Sequence, residues 1–379
     1  MALRDYCDQA CIAGVGATPQ GSLPDHSGDD LAIWAFRLAL EDCGLRKDNV
    51  DGLIVQSGFG GQGSVTEIGR RLGLEPRVAM GGLMGGQALQ VATLLVHSGM
   101  CSYVACIYGT NQKTNRNRFA GSVFRPGGNF GEVYGLSNPG AVAAFNYRRR
   151  MHDYGATEEQ LGAIAVAQSK GAAINPLAVF RSPLTLEDYL ESRYVIAPLR
   201  LVDFCMISDG GFAVIVTSPE RAKDLGKRPV YIAGMGSQAS FLEYDHPEAM
   251  YHPTQPPNAR MLWDSSGYRA QDMNALYVQD AYTPNLLAAL ENYGFCELGT
   301  AHEWVQDGRI ELGGELPANV NGGQNRMTYM LGWQNTDDAV RQLRGEAEEP
   351  ARQIPGVERI LCTYSTGLWE QTWSVVLRS

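Results

Sequence analysis

A carboxylate and a phenol two residues apart, Asp280 and Tyr282, are placed to share proton-transfer chemistry. Residues two apart on a strand face the same side, so both groups would reach one substrate. A phenol has an ordinary pKa of about 10, and it accepts a proton only where neighbouring donors or positive charge stabilise the phenolate. The alternatives are that Asp280 caps a helix or forms a salt bridge, and that Tyr282 is half-buried beside the helix that Pro284 introduces.

Two glycine-rich stretches could bring backbone N–H groups to a ligand. Gly82 and Gly85 lie where an apolar helix at 86–98 opens, and Gly322 and Gly323 form the second stretch. Donors of this kind at a helix start can stabilise an oxyanion, so we predict that these glycines bind substrate. The alternative is that small residues there allow close helix packing, and both can hold.

The eight cysteines and six histidines form neither a disulfide framework nor a metal-binding pattern. No C-x-x-C pair occurs, and no histidine pair has the spacing of a metal site on a helix, so no metal is expected. The thiols indicate a reduced, cytoplasmic protein. Cys362 lies inside a strand-like run, where a core thiol is favoured over a nucleophile.

The charge and the length of the apolar runs argue against several classes of protein. A net charge of −10 and a pI of about 5.2 disfavour a general nucleic-acid or anionic-membrane surface. No apolar run approaches the ~20 residues of a membrane helix, and the N-terminus has no signal-peptide architecture. Arginines cluster at 116–125 and 148–150, where they could form a local basic pocket or be solvated surface.

The chain repeats itself at an offset of about 220 residues, which is the signature of a duplicated fold. The matching segments are Ile12–Gly16 with Ile232–Gly236, Leu53–Gln56 with Leu276–Gln279, and more loosely 104–108 with 360–364. Strands alternate with helices in each repeat, which predicts a sheet covered on both faces. We therefore predict an α/β protein of two halves, 1–225 and 226–379, stacked as five αβαβα layers with an apolar helix of each half in the middle.

Local patterns place some elements directly. The segment 29–43 is typical of an amphipathic helix, with Ser27 and Asp30 as a capping box and Gly44 as its end. Two segments, Thr110 to Tyr134 and Tyr244 to Gly267, break the alternation and are too long for plain connections. We predict that both are functional loops, the first within an excursion at about 110–200.

Motifs along nearly the whole chain resemble the thiolase superfamily, in its sterol-carrier and lipid-transfer-protein branch. The segment Cys205-Met206-Ile207-Ser208-Asp209-Gly210-Gly211 is similar to the strand that closes the first half, and Asn319-Val320-Asn321-Gly322-Gly323 is similar to the family's Asn-x-Ser-Gly-Gly loop. The resemblance implies the thiolase fold with βαβαβαββ halves. It places Gly82 at the nucleophilic cysteine and Tyr329 at the catalytic histidine. A glycine cannot attack a carbonyl, so the nucleophile of a thiolase is missing.

The Asp280-x-Tyr282-Thr-Pro segment, Tyr329 and the segment 341–347 resemble the steroid side-chain-cleaving aldolases. This resemblance implies retro-aldol cleavage of a β-hydroxy acyl-CoA with a steroid side chain, giving a ketone and a shortened acyl-CoA. It implies Tyr282, Tyr329 and Asp280 as catalytic residues, with no cofactor beyond the CoA of the substrate. It further implies a homodimer that forms a heterotetramer with a small zinc-ribbon/OB-fold protein.

Two other functions stay open on the sequence alone. An acyl-CoA acyltransferase or thiolase would use an atypical nucleophile such as Cys362, and a non-catalytic scaffold would only bind acyl-CoA or lipid. Glycine at position 82 fits a scaffold as well as an aldolase. Without its motif, Tyr329 would be a core aromatic among Met327 and Met330, so the aldolase prediction depends on the tyrosine pair.

Overall fold

Eleven strands and twelve helices are seen in a computed structural model that describes residues 3–58, 63–115, 138–240, 255–347, 350–365 and 371–379. The strands are β1 (Cys11–Ala17), β2 (Gly52–Gln56), β3 (Val78–Gly81), β4 (Tyr103–Asn111), β5 (Tyr194–Ile196), β6 (Leu199–Arg200), β7 (Asp209–Thr217), β8 (Val230–Ala239), β9 (Ala275–Val278), β10 (Arg359–Ser365) and β11 (Gln371–Arg378). The helices are α1 (Gly28–Cys43), α2 (Val65–Leu72), α3 (Gly85–His97), α4 (Pro139–Tyr154), α5 (Glu158–Ala173), α6 (Leu186–Glu191), α7 (Pro219–Ala222), α8 (Gln255–Ser266), α9 (Pro284–Asn292), α10 (Ala301–Trp304), α11 (Gly323–Arg326) and α12 (Trp333–Arg344).

The sheet order shows the duplication. Nine strands follow one another as β3-β2-β4-β7-β1-β8-β11-β10-β9, so the second half runs outward from the junction as the first half does. In each half the first strand, β1 or β8, pairs antiparallel with the last, β7 or β11. The segments that repeat in the sequence lie on matching strands. At the place of β3, the second half has a single parallel bridge between Leu276 and Ala318.

The junction of the halves is narrow. β1 and β8 are joined by two residue pairs, Cys11 with Tyr231 and Ile12 with Val230. α3 and α12 each contact strands of both halves. α1 covers the outer face of the first half, and α8 covers β8 and β11 of the second. The predicted five-layer αβαβα fold is confirmed, and the predicted boundary at 225/226 falls between β7 and β8.

The predicted start and end of α1 match the structure. Ser27 caps the helix, its side chain and that of Asp30 form the capping box, and Gly44 ends the helix in the left-handed conformation at φ 73°. The segment 244–267 differs from the prediction, because its described part forms α8 with prolines in the first turn, where no N–H donor is needed. Residues 116–134 and 244–254 lie outside the described ranges.

The prediction of an apolar central helix in each half holds for α3 and is wrong for α12. Nearly every residue of α12 is buried, yet many are polar. Several of its buried polar groups have partners: Asp338 accepts from Tyr277 and pairs with Arg352, and Asn335 donates to the carbonyl of Val278 at 2.8 Å. Partnered polar groups can be buried at little net cost, so the periodicity of apolar residues did not reveal this helix.

Arg344, at the end of α12, ties the halves together. Its side chain is fully buried, and its guanidinium pairs with Asp42 of α1 at 2.7 Å. It also donates to the carbonyls of Ala13 at 2.8 Å and Arg228 at 2.9 Å. Asp42 in turn accepts the N–H of Val15, where β1 is irregular. One side chain of the second half thus holds three segments of the chain that precede β8.

We expect Arg344→Ala to lower the free energy of unfolding by about 3 kcal/mol, because removing one partner leaves Asp42 desolvated and poorly compensated. Urea unfolding followed by circular dichroism measures this loss. The matched control is Arg46→Ala, which removes a pair with Asp48 whose side chains are 84% and 62% exposed, and should change stability little. Equal effects of the two substitutions would contradict the role given to Arg344.

Candidate active site

The residues that join the tyrosine loops belong to the first half of the chain. We call Asp203–Ser208 the crossing segment. Its Cys205 N–H donates to the carbonyl of Ala281 at 2.9 Å, and its Asp203 carbonyl accepts the N–H of Thr283 at 3.1 Å. The crossing segment therefore pairs with the backbone on both sides of Tyr282.

Tyr282 itself lies buried, with 7% of its surface exposed. Its ring packs edge-on against Phe204, with the ring centroids 5.3 Å apart. Burial raises the pKa of the Tyr282 phenol, and the nearby Cys205 thiol raises it further. The phenol is therefore neutral at physiological pH.

Tyr329 is held by a chain of hydroxyl and amide groups. Its backbone N–H donates to the Ser208 hydroxyl oxygen at 3.1 Å, and that hydroxyl lies 2.7 Å from the hydroxyl of Thr328. Thr328 donates to the side-chain oxygen of Gln20 at 3.0 Å. The last residue of the crossing segment thus positions the second tyrosine, as the middle of the segment positions the first.

The two tyrosines meet in one buried cluster. Burial raises the pKa of Tyr329, and Cys205, Tyr108 and Tyr282 are close enough to raise it further. These effects keep both phenols protonated, so each can donate a hydrogen bond or a proton. The structure places Tyr282, Cys205 and Tyr108 near Tyr329, and the catalytic roles of the two tyrosines stay a prediction.

Asp280 lies beside the tyrosines but faces the glycine loop. Its carboxylate accepts the backbone N–H of Gln324 at 2.9 Å and the side-chain amide of Gln168 at 2.5 Å. The prediction that Asp280 and Tyr282 share the face of a strand is wrong, because β9 ends at Val278. Burial raises the pKa of Asp280 to about 7, against the hydrogen bonds that favour its ionised form.

The glycines of the site allow close packing. A side chain at Gly323 would collide with the Asp280 carboxylate, and its φ of 62° favours glycine. The N–H of Gly322 donates to Asn319 at 2.9 Å and that of Gly82 to the carbonyl of Val55 at 3.0 Å. The N–H of Gly323 is bonded to an asparagine side chain two residues earlier. These three N–H groups already donate hydrogen bonds within the protein, so the structure does not support their donation to an oxyanion.

Gly85 and Gly82 differ in their surroundings. A Cβ at Gly85 would contact the indole of Trp333 at 3.4 Å, so the starts of the two central helices touch there. At Gly82 a Cβ would meet open space, although φ is 83°. The place of the thiolase nucleophile therefore has room but no nucleophile. Substrate binding by the four glycines stays a prediction.

The cysteines divide between core and site. Cys362 is fully buried within β10, and burial raises the pKa of its thiol, as expected of a core residue. Cys205 is only partly buried, and its thiol lies near both tyrosines and near Asp280. In the sequence, the motif that contains Cys205 and Ser208 served only to indicate the family. Its position at the start of β7 could have indicated that these two residues belong to the site.

The remaining candidates fall outside this cluster. Arg148 is exposed and Arg150 forms a bidentate pair with Glu291 at 2.6 and 2.5 Å, so neither belongs to the tyrosine cluster. The arginine cluster at 116–125 lies outside the described residues. In the part of the chain that is described, no helix is long and apolar enough to cross a membrane, and no group of His, Cys, Asp or Glu is arranged to hold a metal ion.

Residues 254–379 match the family model described as Thiolase C-terminal domain-like. The chain is 36% identical to the 17-hydroxy-3-oxo-4-pregnene-20-carboxyl-CoA lyase of Mycobacterium tuberculosis, over 95% of this chain and 97% of that protein. It is 35% identical to the steroid side-chain-cleaving aldolase of Thermomonospora curvata, over 95% of each.

Comparison with solved structures also finds an aldolase and a thiolase. The Ltp2-ChsH2(DUF35) aldolase superposes with a TM-score of 0.88 at 33% identity, covering 99% of this chain and 98% of that one. Human mitochondrial 3-ketoacyl-CoA thiolase, in complex with CoA, superposes with a TM-score of 0.73 at 16% identity over 98% of each chain. The second likeness carries the fold alone.

The buried carboxyl of Asp280 generates a prediction about pH. Its folded-state pKa of about 7 exceeds the unfolded value of about 4, so the folded protein retains a proton that the unfolded chain releases. Stability therefore falls as pH rises from about 4 to about 7. We expect Asp280→Asn to remove up to roughly 1 kcal/mol per pH unit of this fall.

Urea unfolding of wild type and Asp280→Asn between pH 5 and pH 8 measures this difference. Asp203, whose pKa burial raises to about 6, contributes equally to both proteins and cancels. Asp48→Asn, at a 62% exposed carboxyl, is the matched control and should keep the wild-type slope. Parallel slopes for wild type and Asp280→Asn would show that Asp280 is already ionised at pH 5.

Proposed function

The chain belongs to the steroid side-chain-cleaving aldolases of the thiolase superfamily, and from this membership we propose that it cleaves a β-hydroxy acyl-CoA by a retro-aldol reaction. The substrate is a steroid with a side chain esterified to CoA, and the products are a steroid ketone and a shortened acyl-CoA. The named activities of the two relatives support this substrate class.

The observation that carries the proposal is the pair of buried, protonated tyrosines, in a chain that has a glycine at the nucleophile position. Tyr282 and Tyr329 are each more than nine-tenths buried, and Gly82 offers no attacking group. A site built this way can move protons, and the one thiol described in it, Cys205, is a poor nucleophile because burial raises its pKa, which disfavours a covalent acyl-enzyme. Retro-aldol cleavage needs only proton movement.

The proton count of the reaction suits a pair of phenols. The β-hydroxyl loses its proton, the bond between the α and β carbons breaks, and the electron pair passes to the thioester as an enolate. The β carbon becomes a ketone, and the α carbon then takes up one proton. One proton leaves and one returns, so Tyr282 and Tyr329 together can relay it and end unchanged. The reaction requires no cofactor beyond the CoA of the substrate.

We assign Asp280 to positioning within this mechanism. Its two hydrogen bonds join Gln324, next to the glycine pair, to Gln168 of α5. The carboxyl thereby fixes the loop from which the chain continues to Tyr329. Its pKa of about 7 also lets it exchange a proton near neutral pH.

The two alternatives are weaker. Cys362 as a nucleophile would need a thiolate that reaches substrate, whereas it is fully buried in a paired strand and its pKa is raised. A non-catalytic scaffold would not need two protonated tyrosines at the catalytic places. Only the aldolase proposal uses the cluster that the crossing segment assembles.

Incubation with a β-hydroxy steroid acyl-CoA separates the three functions. We expect release of a steroid ketone and a shortened acyl-CoA without added free CoA. A strict requirement for free CoA would instead support a thiolase, and binding without any product would support a scaffold. Either outcome would refute the aldolase proposal.

The assembly that we propose is a homodimer joined to a small partner protein. β3 is the outer strand of the first half and pairs only with β2 among the described strands, and Ala79 on it is exposed. An open, uncharged edge of this kind favours pairing with a second copy. The Ltp2-ChsH2(DUF35) neighbour supports a partner, which we expect to be the zinc-ribbon/OB-fold protein of a heterotetramer. The free cysteines of the described residues support a cytoplasmic location.

Removing either hydroxyl should slow turnover while the ring keeps its packing. We expect Tyr282→Phe and Tyr329→Phe each to lower kcat by ~10²–10⁴-fold, the usual contribution of a general acid or base. Ketone release under saturating substrate measures this loss. The control is Tyr103→Phe, a partly buried tyrosine on β4 at the start of the strand. Wild-type kcat in both site variants would remove the tyrosines from the mechanism.

The dimer is tested by light scattering, where we expect a mass of about twice the 41.3 kDa of one chain. Ala79→Lys places a charge on the edge of β3 and should shift the mass towards one chain, because charged edge strands resist pairing. Leu298→Lys, at a residue 62% exposed in the second half, is the matched control. A wild-type monomer at micromolar concentration would refute the dimer. Failure of the partner to co-purify on co-expression would remove it from the assembly.

A further inference from the structure

Arg326 is a partly buried cation without a counter-ion in the described chain. None of its side-chain nitrogens has a carboxylate within ion-pair distance there, and one terminal nitrogen is buried without a hydrogen-bond partner. Every other described arginine that is not exposed is paired with a carboxylate: Arg150, Arg200, Arg341, Arg344, Arg352, Arg359 and Arg378. Among the described arginines that are not exposed, Arg326 alone has no carboxylate partner.

An unpaired, partly buried guanidinium destabilises the folded chain when no ligand is bound. Burial lowers the pKa of the Arg326 guanidinium, with no acidic neighbour to offset it. A guanidinium stays charged at any physiological pH, so it cannot escape the cost by losing its proton. A desolvated charge of this kind is retained where an anion binds to it.

Arg326 is the last residue of α11, the short helix that begins at the glycine turn and precedes Tyr329 by three residues. Three residues of chain span at most about 11 Å, so the guanidinium lies within reach of a long substrate held at the tyrosines. The backbone carbonyl of Arg326 accepts the N–H of Phe180 at 3.0 Å. Phe180 is 50% exposed, although it is a large aromatic residue.

A second guanidinium lies on the same part of the surface. Arg181 follows Phe180, is exposed, and donates to the carbonyl of Ala173 at the end of α5 at 3.3 Å. Arg326 approaches the same turn, because the Cβ position of Gly322 touches both Ala172 and Arg326. Two arginines and an exposed aromatic residue thus lie close to the end of α5, with no carboxylate paired to either cation among the described residues.

We propose that Arg326 binds a phosphate of the nucleotide end of CoA, with Phe180 and Arg181 beside it. The guanidinium fork matches phosphate oxygens in bidentate geometry, and an exposed aromatic ring offers a stacking surface for the adenine. The proposal rests on the proposed function for its ligand, since an acyl-CoA substrate brings phosphates to the site. It adds a binding residue that the sequence did not reveal.

Calorimetric titration of the full chain with CoA tests the proposal without turnover. We expect Arg326→Gln to weaken CoA binding by at least tenfold and Arg326→Lys to weaken it less, because lysine keeps the charge but loses the fork. Arg221→Gln is the matched control. It removes one exposed positive charge that is distant from Arg326 in the sequence, and it should leave the affinity for CoA unchanged. Equal CoA affinity for wild type and Arg326→Gln would overturn the proposal, as would a wild type that does not bind CoA.

Two further ligands identify the phosphate. If Arg326 holds the 3′-phosphate, dephospho-CoA should bind wild type and Arg326→Gln equally; if it holds the pyrophosphate, the difference should persist. Either result supports the proposal, provided that CoA itself binds more tightly to wild type than to Arg326→Gln. Inorganic phosphate should compete with CoA only weakly, and competition at equal concentration would overturn a site for CoA in favour of one for free phosphate.

Thermal unfolding separates a ligand-binding arginine from a structural one. In the absence of CoA, Arg326→Gln should unfold at the same or a higher temperature than wild type, because it removes an uncompensated charge. A lower unfolding temperature together with weaker CoA binding would assign Arg326 to folding and overturn the proposal. Because neither measurement uses turnover, ketone release by wild type would leave the aldolase proposal standing even if Arg326 is not the phosphate site.

Discussion

The site depends on the hydrogen bonds between the crossing segment and the two loops of the second half. Cys205 and Asp203 hold the backbone around Tyr282, and Ser208 holds the backbone of Tyr329. Neither tyrosine is placed by its own half alone. A shift of this short segment would move both phenols together, which keeps their separation constant while the surroundings adjust. The precision that proton transfer demands is therefore supplied by hydrogen bonds to the backbone on either side of Tyr282 and at Tyr329.

Burial sets the protonation state of the side chains in the site. The same low-dielectric surroundings raise the pKa of the phenols, of the Cys205 thiol and of the Asp280 carboxyl, so each favours its protonated form. A thiolase site works in the opposite direction, because it must stabilise a thiolate. The fold is shared with thiolases, while the electrostatic environment of this cluster favours neutral acids.

The sequence predicted the features that repeat or that are local. The duplicated segments predicted two similar halves in five layers, and the capping box at Ser27 predicted the start of α1 to within one residue. It failed where partners lie far apart in the chain. The polar residues of α12 became predictable only with Tyr277 and Arg352 in view. Asp280 was misplaced because the end of β9 depends on its pairing with β10 and not on local propensity.

The narrow junction between β1 and β8 has a consequence for the newly made chain. Until β8 leaves the ribosome, the outer edge of β1 has no strand beside it, and the crossing segment has no loops to bind. At the usual 5–20 residues per second, the rest of the second half takes roughly 7–30 s to be synthesised. During that interval the edge of β3 and the unpaired crossing segment are open to association with other nascent chains. Chaperone occupancy should therefore peak before translation reaches the second tyrosine.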